Sequence, residues 1–128
     1  MHVVGAFVPC DPQTCWRAFT AVSTLVDWVP GLLRAQTIAM SRGLPGEVHF
    51  EHVGGYAYTL VYSYDVATRE VRWEPKLGPR EGVSGFARFD AAPDGTELIY
   101  GLEPGAARGE ADVQRIVDAF VDWVTVRR

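Results

Sequence analysis

Between Tyr56 and Tyr64 every second residue is large: Tyr56, Tyr58, Leu60, Tyr62 and Tyr64. Side chains of a strand alternate between faces, so a strand here puts these four phenols on one face. Ala57, Thr59, Val61, Ser63 and Asp65 fall on the other. A tyrosine ring is apolar, but its hydroxyl can orient a bound molecule, so a phenol-lined face suits a small hydrophobic ligand. The plainer alternative is core packing with hydroxyls reaching water at the rim, and the spacing is compatible with both.

A second group lies just upstream. His49 and His52 fall on opposite faces of one strand and cannot share a metal by simple geometry. If Gly54-Gly55 forms a two-residue hairpin, Glu51 faces Tyr58 and His49 faces Leu60. Glu47, His49 and Glu51 would then form an inward polar strip suited to acid/base work. If the loop has three residues with a bulge, Phe50 faces Tyr58 and His52 points with it. The pattern Val48, Phe50, His52 packs better in the second register, and the sequence leaves both open. Other chemistry is scarce. The His/Glu spacing matches no metal motif, and there is no G-x-S-x-G, P-loop or G-x-G-x-x-G. Cys10 and Cys15 read as reduced, buried thiols, joined only in an oxidising compartment, and Cys15 sits on an apolar helix face rather than as a nucleophile. Arg34, Arg72 and Arg88 lie in strands. An inward one would make an anion site, but Arg72 and Arg88 alternate with apolar residues and read as solvated.

The elements that must position these groups follow from period and punctuation. Val3 to Val8 reads as a short strand. Asp11-Pro12 supplies an N-cap and a proline at the first helical position, and Cys15, Trp16, Phe19 and Val22 give that helix an apolar face. Ser23 or Thr24 can cap a second short helix ended by Pro30-Gly31. The period then becomes two. Strands are expected at Leu32–Met40, Glu47–Val53, Tyr56–Val66, Arg69–Leu77, Val83–Ala91 and Thr96–Glu103. Gly43, Pro45 and Gly46 punctuate the first pair, Gly54-Gly55 and Gly78-Pro79 break later ones, and Pro93-Asp94-Gly95 makes a turn. Val113, Ile116, Val117, Phe120, Val121 and Val124 return to helical spacing over residues 110 to 126, with Glu110 and Asp112 at the start and Arg127 and Arg128 at the end, as the helix dipole favours. The class is α+β: two short helices between the first and second of seven antiparallel strands, and a long amphipathic helix to cover one sheet face.

This order resembles the helix-grip fold of the START and pollen-allergen superfamily (SRPBCC), and within it small bacterial polyketide cyclase/dehydrase-like proteins. The likeness rests on Val8-Pro9-Cys10-Asp11-Pro12 before Trp16, on Trp28-Val29-Pro30-Gly31, on Asp94-Gly95-Thr96 before Leu98 and Tyr100, and on the terminal helix. It spans nearly the whole chain. The resemblance implies a curved seven-stranded antiparallel sheet around the long helix, with an apolar cavity between them. Members bind lipids, sterols, polyketides, hormones or other hydrophobic molecules, and some catalyse cyclisation or dehydration. Longer members carry an extended segment before the last helix. Only Pro104 to Gly109 fills that place here, which implies a small or open cavity.

Composition narrows the classes. The 128 residues are 48% hydrophobic and 22% charged, as in a globular domain, and one domain over 1–128 is expected. A net charge of -4 disfavours a nucleic-acid binder. No run approaches the roughly 18 apolar residues of a membrane span, and the start lacks a basic signal region, so a cytoplasmic location is expected. Three readings remain: a module binding a small aromatic, lipid or polyketide-like molecule, a cyclase or dehydratase acting on one, and an interaction protein with a collapsed pocket. The pocket is expected to be lined by Tyr58, Tyr62, Trp73 and Tyr100, which share the inward phase of their strands, and by Val113, Ile116, Val117 and Phe120 from the helix. Tyr56 and Tyr64 lie nearer strand ends. No cofactor or metal is implied. Trp123 is left with three placements (cavity edge, dimer contact or sheet rim), and a homodimer stays open.

Overall fold

The computed structural model describes residues 1–77, 83–103 and 110–127. Asp11 starts the first helix as its type dictates. It is extended, and its side chain accepts the Thr14 N–H at 3.1 Å and the Thr14 hydroxyl. These bonds, the hydroxyl's first, hold the Asp11 carboxyl below its usual range. Pro12 follows at the position where a missing N–H costs nothing.

In chain order the elements are β1 (His2–Val8), α1 (Pro12–Thr20), a 3-10 turn (Val22–Thr24), α2 (Leu25–Trp28), β2 (Leu32–Ser41), β3 (Leu44–His52), β4 (Ala57–Asp65), β5 (Glu70–Pro75), β6 (Gly85–Ala92), β7 (Gly95–Leu102) and α3 (Glu110–Arg127). The strands form one antiparallel sheet in the order β1-β7-β6-β5-β4-β3-β2. β2 to β7 is a meander, and β1 closes onto β7 with Val4 opposite Tyr100 and Val8 opposite Thr96. β1 and β2 are therefore opposite edges, and α1 and α2 bridge them across one sheet face. α1 touches β6 and β7, α2 touches β2, and α3 lies chiefly on β1 with contacts to β7, α1 and α2.

The buried stripe of α3 is Val113, Val117, Phe120 and Val124, each 2% exposed or less, at the 4-3-4 spacing of one helix face. It meets rings from α1 and α2. Phe19 is the hub, with Phe89, Phe120, Trp28, Trp73 and Tyr100 around it at centroid distances of 5.3 to 6.3 Å. Gly85 makes room for this cluster, because a Cβ there would stand 2.5 Å from the Gly101 carbonyl and 2.7 Å from the Trp73 ring.

Local expectations shift in three places. The break after β2 is confined to Arg42 and Gly43, both at positive φ, so Pro45 and Gly46 lie inside β3 rather than in a loop. Pro45 opposes Met40 beside a slip in the β2–β3 register, where a missing N–H disturbs the ladder least. Thr24 occupies the N-cap position of α2, but its hydroxyl donates to the Ala21 carbonyl at 2.9 Å instead of accepting from the helix, and α2 is a single turn. Strand ends differ from expectation by up to three residues, where end pairs fray or bulge. The expected break at Gly78-Pro79 and the short segment Pro104 to Gly109 lie outside the described residues, and with the latter the expectation of a small or open cavity.

The α3 stripe gives a direct stability test. Phe120→Ala should cost about 3 kcal/mol or more in chemical denaturation. Val126→Ala, at a side chain 85% exposed, should change stability by less than about 0.5 kcal/mol. Equal small losses would mean that the buried face is misassigned.

Candidate functional site

The β3–β4 loop decides which side chains share the tyrosine face. Gly54 and Gly55 both take positive φ, at 88° and 79°, and the His52 N–H donates to the Tyr56 carbonyl at 2.7 Å. The loop is thus the three residues Val53, Gly54 and Gly55. Phe50 sits opposite Tyr58, Val48 opposite Leu60 and His49 opposite Thr59. Val48, Phe50 and His52 therefore face inward with the tyrosines.

The alternative inward strip of Glu47, His49 and Glu51 lies on the outer face. Glu47 pairs with Lys76 at 2.9 Å, His49 Nδ1 is 3.1 Å from Thr59 Oγ1, and Glu51 lies between His49 and Arg34 at 3.8 and 4.0 Å. The physical reason is burial: Val48 and Phe50 are 0% and 5% exposed, and a one-residue slip would have put them in water.

On the inner face the phenols of β4 have different surroundings. Tyr64 packs edge-on against Trp16 of α1 and donates its hydroxyl to the Pro45 carbonyl at 2.6 Å. Tyr62 pairs across the ladder with Trp73, ring centroids 6.1 Å apart, and Trp73 meets Tyr100 at 5.6 Å. Tyr58 stacks between Phe50 and His52, each 5.3 Å away, and its hydroxyl is 2.8 Å from His52 Nε2. Tyr56 is exposed beside it at the loop end.

The electrostatics follow from burial. Burial pushes the Tyr62 hydroxyl well above the usual phenol value, and the neighbouring Tyr64, Tyr100 and Tyr58 hydroxyls add to this. Burial likewise raises the Tyr64 hydroxyl. Both are neutral at physiological pH. The Tyr62 hydroxyl makes no hydrogen bond among the described residues, and the Tyr62 ring lies beside the Tyr64 and Trp73 rings.

The expected lining residues are thus brought together in part. Tyr62, Trp73 and Tyr100 form one chain of ring contacts, and Tyr58 joins a neighbouring cluster with Phe50 and His52. Trp73 and Tyr100 are buried, and Tyr58 and Tyr62 are part-buried. Phe120 reaches this face through Phe19. α3 lies chiefly on β1, whereas Tyr58 and Tyr62 stand on β4, three strands beyond β7. At ~4.8 Å per strand that is about 14 Å. Val113 and Val117 are fully buried, and Ile116 is only part-buried. Phe19 and Trp28 were absent from the expected lining. Their apolar spacing was visible, but not that α1 and α2 cross the sheet.

Other candidates find structural places. Arg34 and Arg72 are exposed, Arg72 pairs with Glu70 and lies 5.5 Å from the Phe86 ring, and Arg88 pairs with Asp90. None of the three points inward. Cys10 and Cys15 are free and buried. Burial raises the Cys15 thiol to about 11, and its Sγ lies 3.6 Å from Thr96 Oγ1, which itself donates to the Cys10 carbonyl at 2.7 Å. Trp123 lies on the wall of a shallow groove between α2 and α3, with Asp27, Trp28, Ala119, Asp122 and Val126. Among the described residues no group of three or more His, Cys, Asp or Glu could hold a metal ion, and no helix is long and apolar enough to cross a membrane.

No protein-family model and no curated protein matches this chain. Solved structures do. A protein of Thermus thermophilus is 12% identical with a TM-score of 0.79, over 98% of this chain and 97% of that one. A START superfamily protein from Mycobacterium smegmatis is 15% identical with a TM-score of 0.72, over 99% and 97%. The di-domain ARO/CYC protein StfQ of the steffimycin biosynthetic pathway is 13% identical with a TM-score of 0.76, over 99% of this chain but 45% of StfQ. At these identities the likeness is one of fold, and the fold is the START-like helix grip.

The raised phenols predict alkaline behaviour. A group whose folded pKa is raised stabilises the fold below its unfolded pKa and loses that contribution as pH rises towards the folded value. Stability should therefore fall from about pH 9 upward through Cys15 and from about pH 10 through Tyr62 and Tyr64. Phenolate absorbance should show Tyr62 and Tyr64 ionising only with unfolding. A Tyr62→Phe/Tyr64→Phe variant should lose that late step; a late step unchanged in amplitude would contradict the assignment.

Proposed function

We propose that this domain binds a small, largely apolar molecule carrying an aromatic ring, held between the inner face of β4, β5 and β7 and helix α3. Tyr58, Tyr62, Trp73 and Tyr100 would supply the sheet side, and Val113, Ile116, Val117 and Phe120 the helix side. The observation that carries this reading is the inner face of β4. Tyr58 and Tyr62 face inward and are only part-buried. A sealed core is built more readily from aliphatic side chains without polar atoms. Phenols offer flat apolar surface with a hydrogen-bonding tip, which is how ligand sites combine affinity and orientation. The fold shared with a START superfamily protein and with an ARO/CYC protein supports the same reading.

A second reading, a cyclase or dehydratase acting on such a molecule, is favoured by the pair of His52 and Tyr58. Their 2.8 Å contact puts an imidazole and a phenol in proton-transfer range on the inner side of the sheet. Such a pair can move a proton to or from a substrate near neutral pH.

Tryptophan fluorescence tests the binding reading. Titration with flavonoids, fatty acids and polyketide mimics should give at least one saturable change, with Kd on the order of micromolar. Trp73→Phe should reduce the amplitude. No response from any compound at high micromolar concentration would favour a collapsed pocket and an interaction role. Turnover of a bound polyketide mimic that is lost in His52→Ala would favour the enzyme.

A further inference from the structure

The groove between α2 and α3 stands apart from the inner sheet face, since none of its wall residues belongs to the lining assigned above. Its volume, about 680 Å³, is that of a small-molecule site. Trp28 and Trp123 give it two indoles, Ala119 and Val126 further apolar surface, and Asp27 and Asp122 two exposed carboxylates. Neither carboxylate has a hydrogen bond or an ion pair among the described residues, unlike Asp112 and Asp118 on α3.

Trp28 adds an unmatched donor. The residue is 6% exposed, and its Nε1–H is buried with no acceptor. Ring packing holds the indole, against Phe19 at 5.6 Å and Phe120 at 5.0 Å. A buried donor without an acceptor is unfavourable. Turning this indole towards an occupant of the groove therefore breaks no hydrogen bond and releases the N–H from its dry position.

The lining selects the occupant. An anion is repelled by the two carboxylates. A hard metal ion takes six or more oxygen ligands, and among the described residues no group of three or more acidic, His or Cys side chains offers them. A quaternary ammonium can lie on an indole but has no N–H for a carboxylate. A flat cation with an N–H fork does both: its face stacks on an indole and its edge matches a carboxylate.

We propose that the α2–α3 groove is a second binding site, for a planar organic cation. Its ligand is a guanidinium or amidinium group on an apolar body, paired with the carboxylates of Asp27 and Asp122 and stacked against the indoles of the groove. The site is independent of the binding reading for the inner face.

The test uses three probes of one shape and different charge: benzamidinium, benzamide and benzoate. Each is titrated into the full chain while the N–H resonances of its four indoles are followed by NMR. Benzamidinium should shift the Trp28 and Trp123 signals saturably, with Kd on the order of millimolar, about fivefold tighter than benzamide, the worth of two exposed ion pairs. Benzoate should leave both signals in place. Asp27→Asn/Asp122→Asn should bring benzamidinium to the affinity of benzamide. The spectrum of the variant alone should match the wild type, because both side chains are exposed. Trp73 is the control for the inner face, and benzamidinium shifts at Trp73 without shifts at Trp28 and Trp123 overturn the assignment. Equal affinities for the three probes, an unchanged benzamidinium affinity in the double variant, or no benzamidinium response at tens of millimolar overturn it too. The inner-face reading stands or falls separately, on the titrations described for it.

Discussion

Strands β1 and β2 are neighbours in the chain but opposite edges of the sheet, so residues 9–31 between them must cross one sheet face. That crossing organises the interior. It carries Phe19 over the middle strands, where the ring meets Trp73, Phe89 and Tyr100 from below and Phe120 from α3. It also brings Trp28 onto Phe120 at 5.0 Å. Without the antiparallel closure of β1 on β7, α1 would have no fixed track, and the buried face of α3 would lose the surface it packs on. The core is thus a consequence of edge placement as much as of composition.

The same layout gives the inner face unequal regions. Near α1 the rings interlock, and the face is filled by Trp16, Phe19, Phe89 and Tyr64. Farther from α3, towards the β3–β4 loop, Tyr58, Phe50 and His52 stack along the strands instead. Four tyrosines in one alternating row, three on β4 and Tyr56 just before it, therefore do different work. Tyr64 ties its hydroxyl to the backbone, Tyr62 sets its ring against those of Tyr64 and Trp73, Tyr58 is engaged with a histidine, and Tyr56 is exposed. Distance from the crossing helix separates these roles.

Much of the fold was legible in the sequence because its signals are local and periodic. The alternation of β4, the Asp11-Pro12 helix start and the helical spacing from Val113 to Val124 each follow from a few adjacent residues. They determine which residues share a face whatever else the chain does. They also determine the α+β order and which neighbours share a strand face with Tyr58, Tyr62, Trp73 and Tyr100.

What the sequence left open was set by contacts between distant segments. The register of β3 turned on one loop residue, and the burial of Val48 and Phe50 chose it, moving Glu47, His49 and Glu51 outward and His52 inward. The acceptance of Pro45 inside β3 depended on a slip in the facing strand. The centrality of Phe19 depended on the two sheet edges that α1 and α2 connect. A strand pattern states which side chains share a face but not which face is buried, because that is decided by what packs on it. Local spacing thus determined the tyrosine row, and only the tertiary structure decided that His52 joins it and that Tyr64 anchors its hydroxyl on the Pro45 carbonyl.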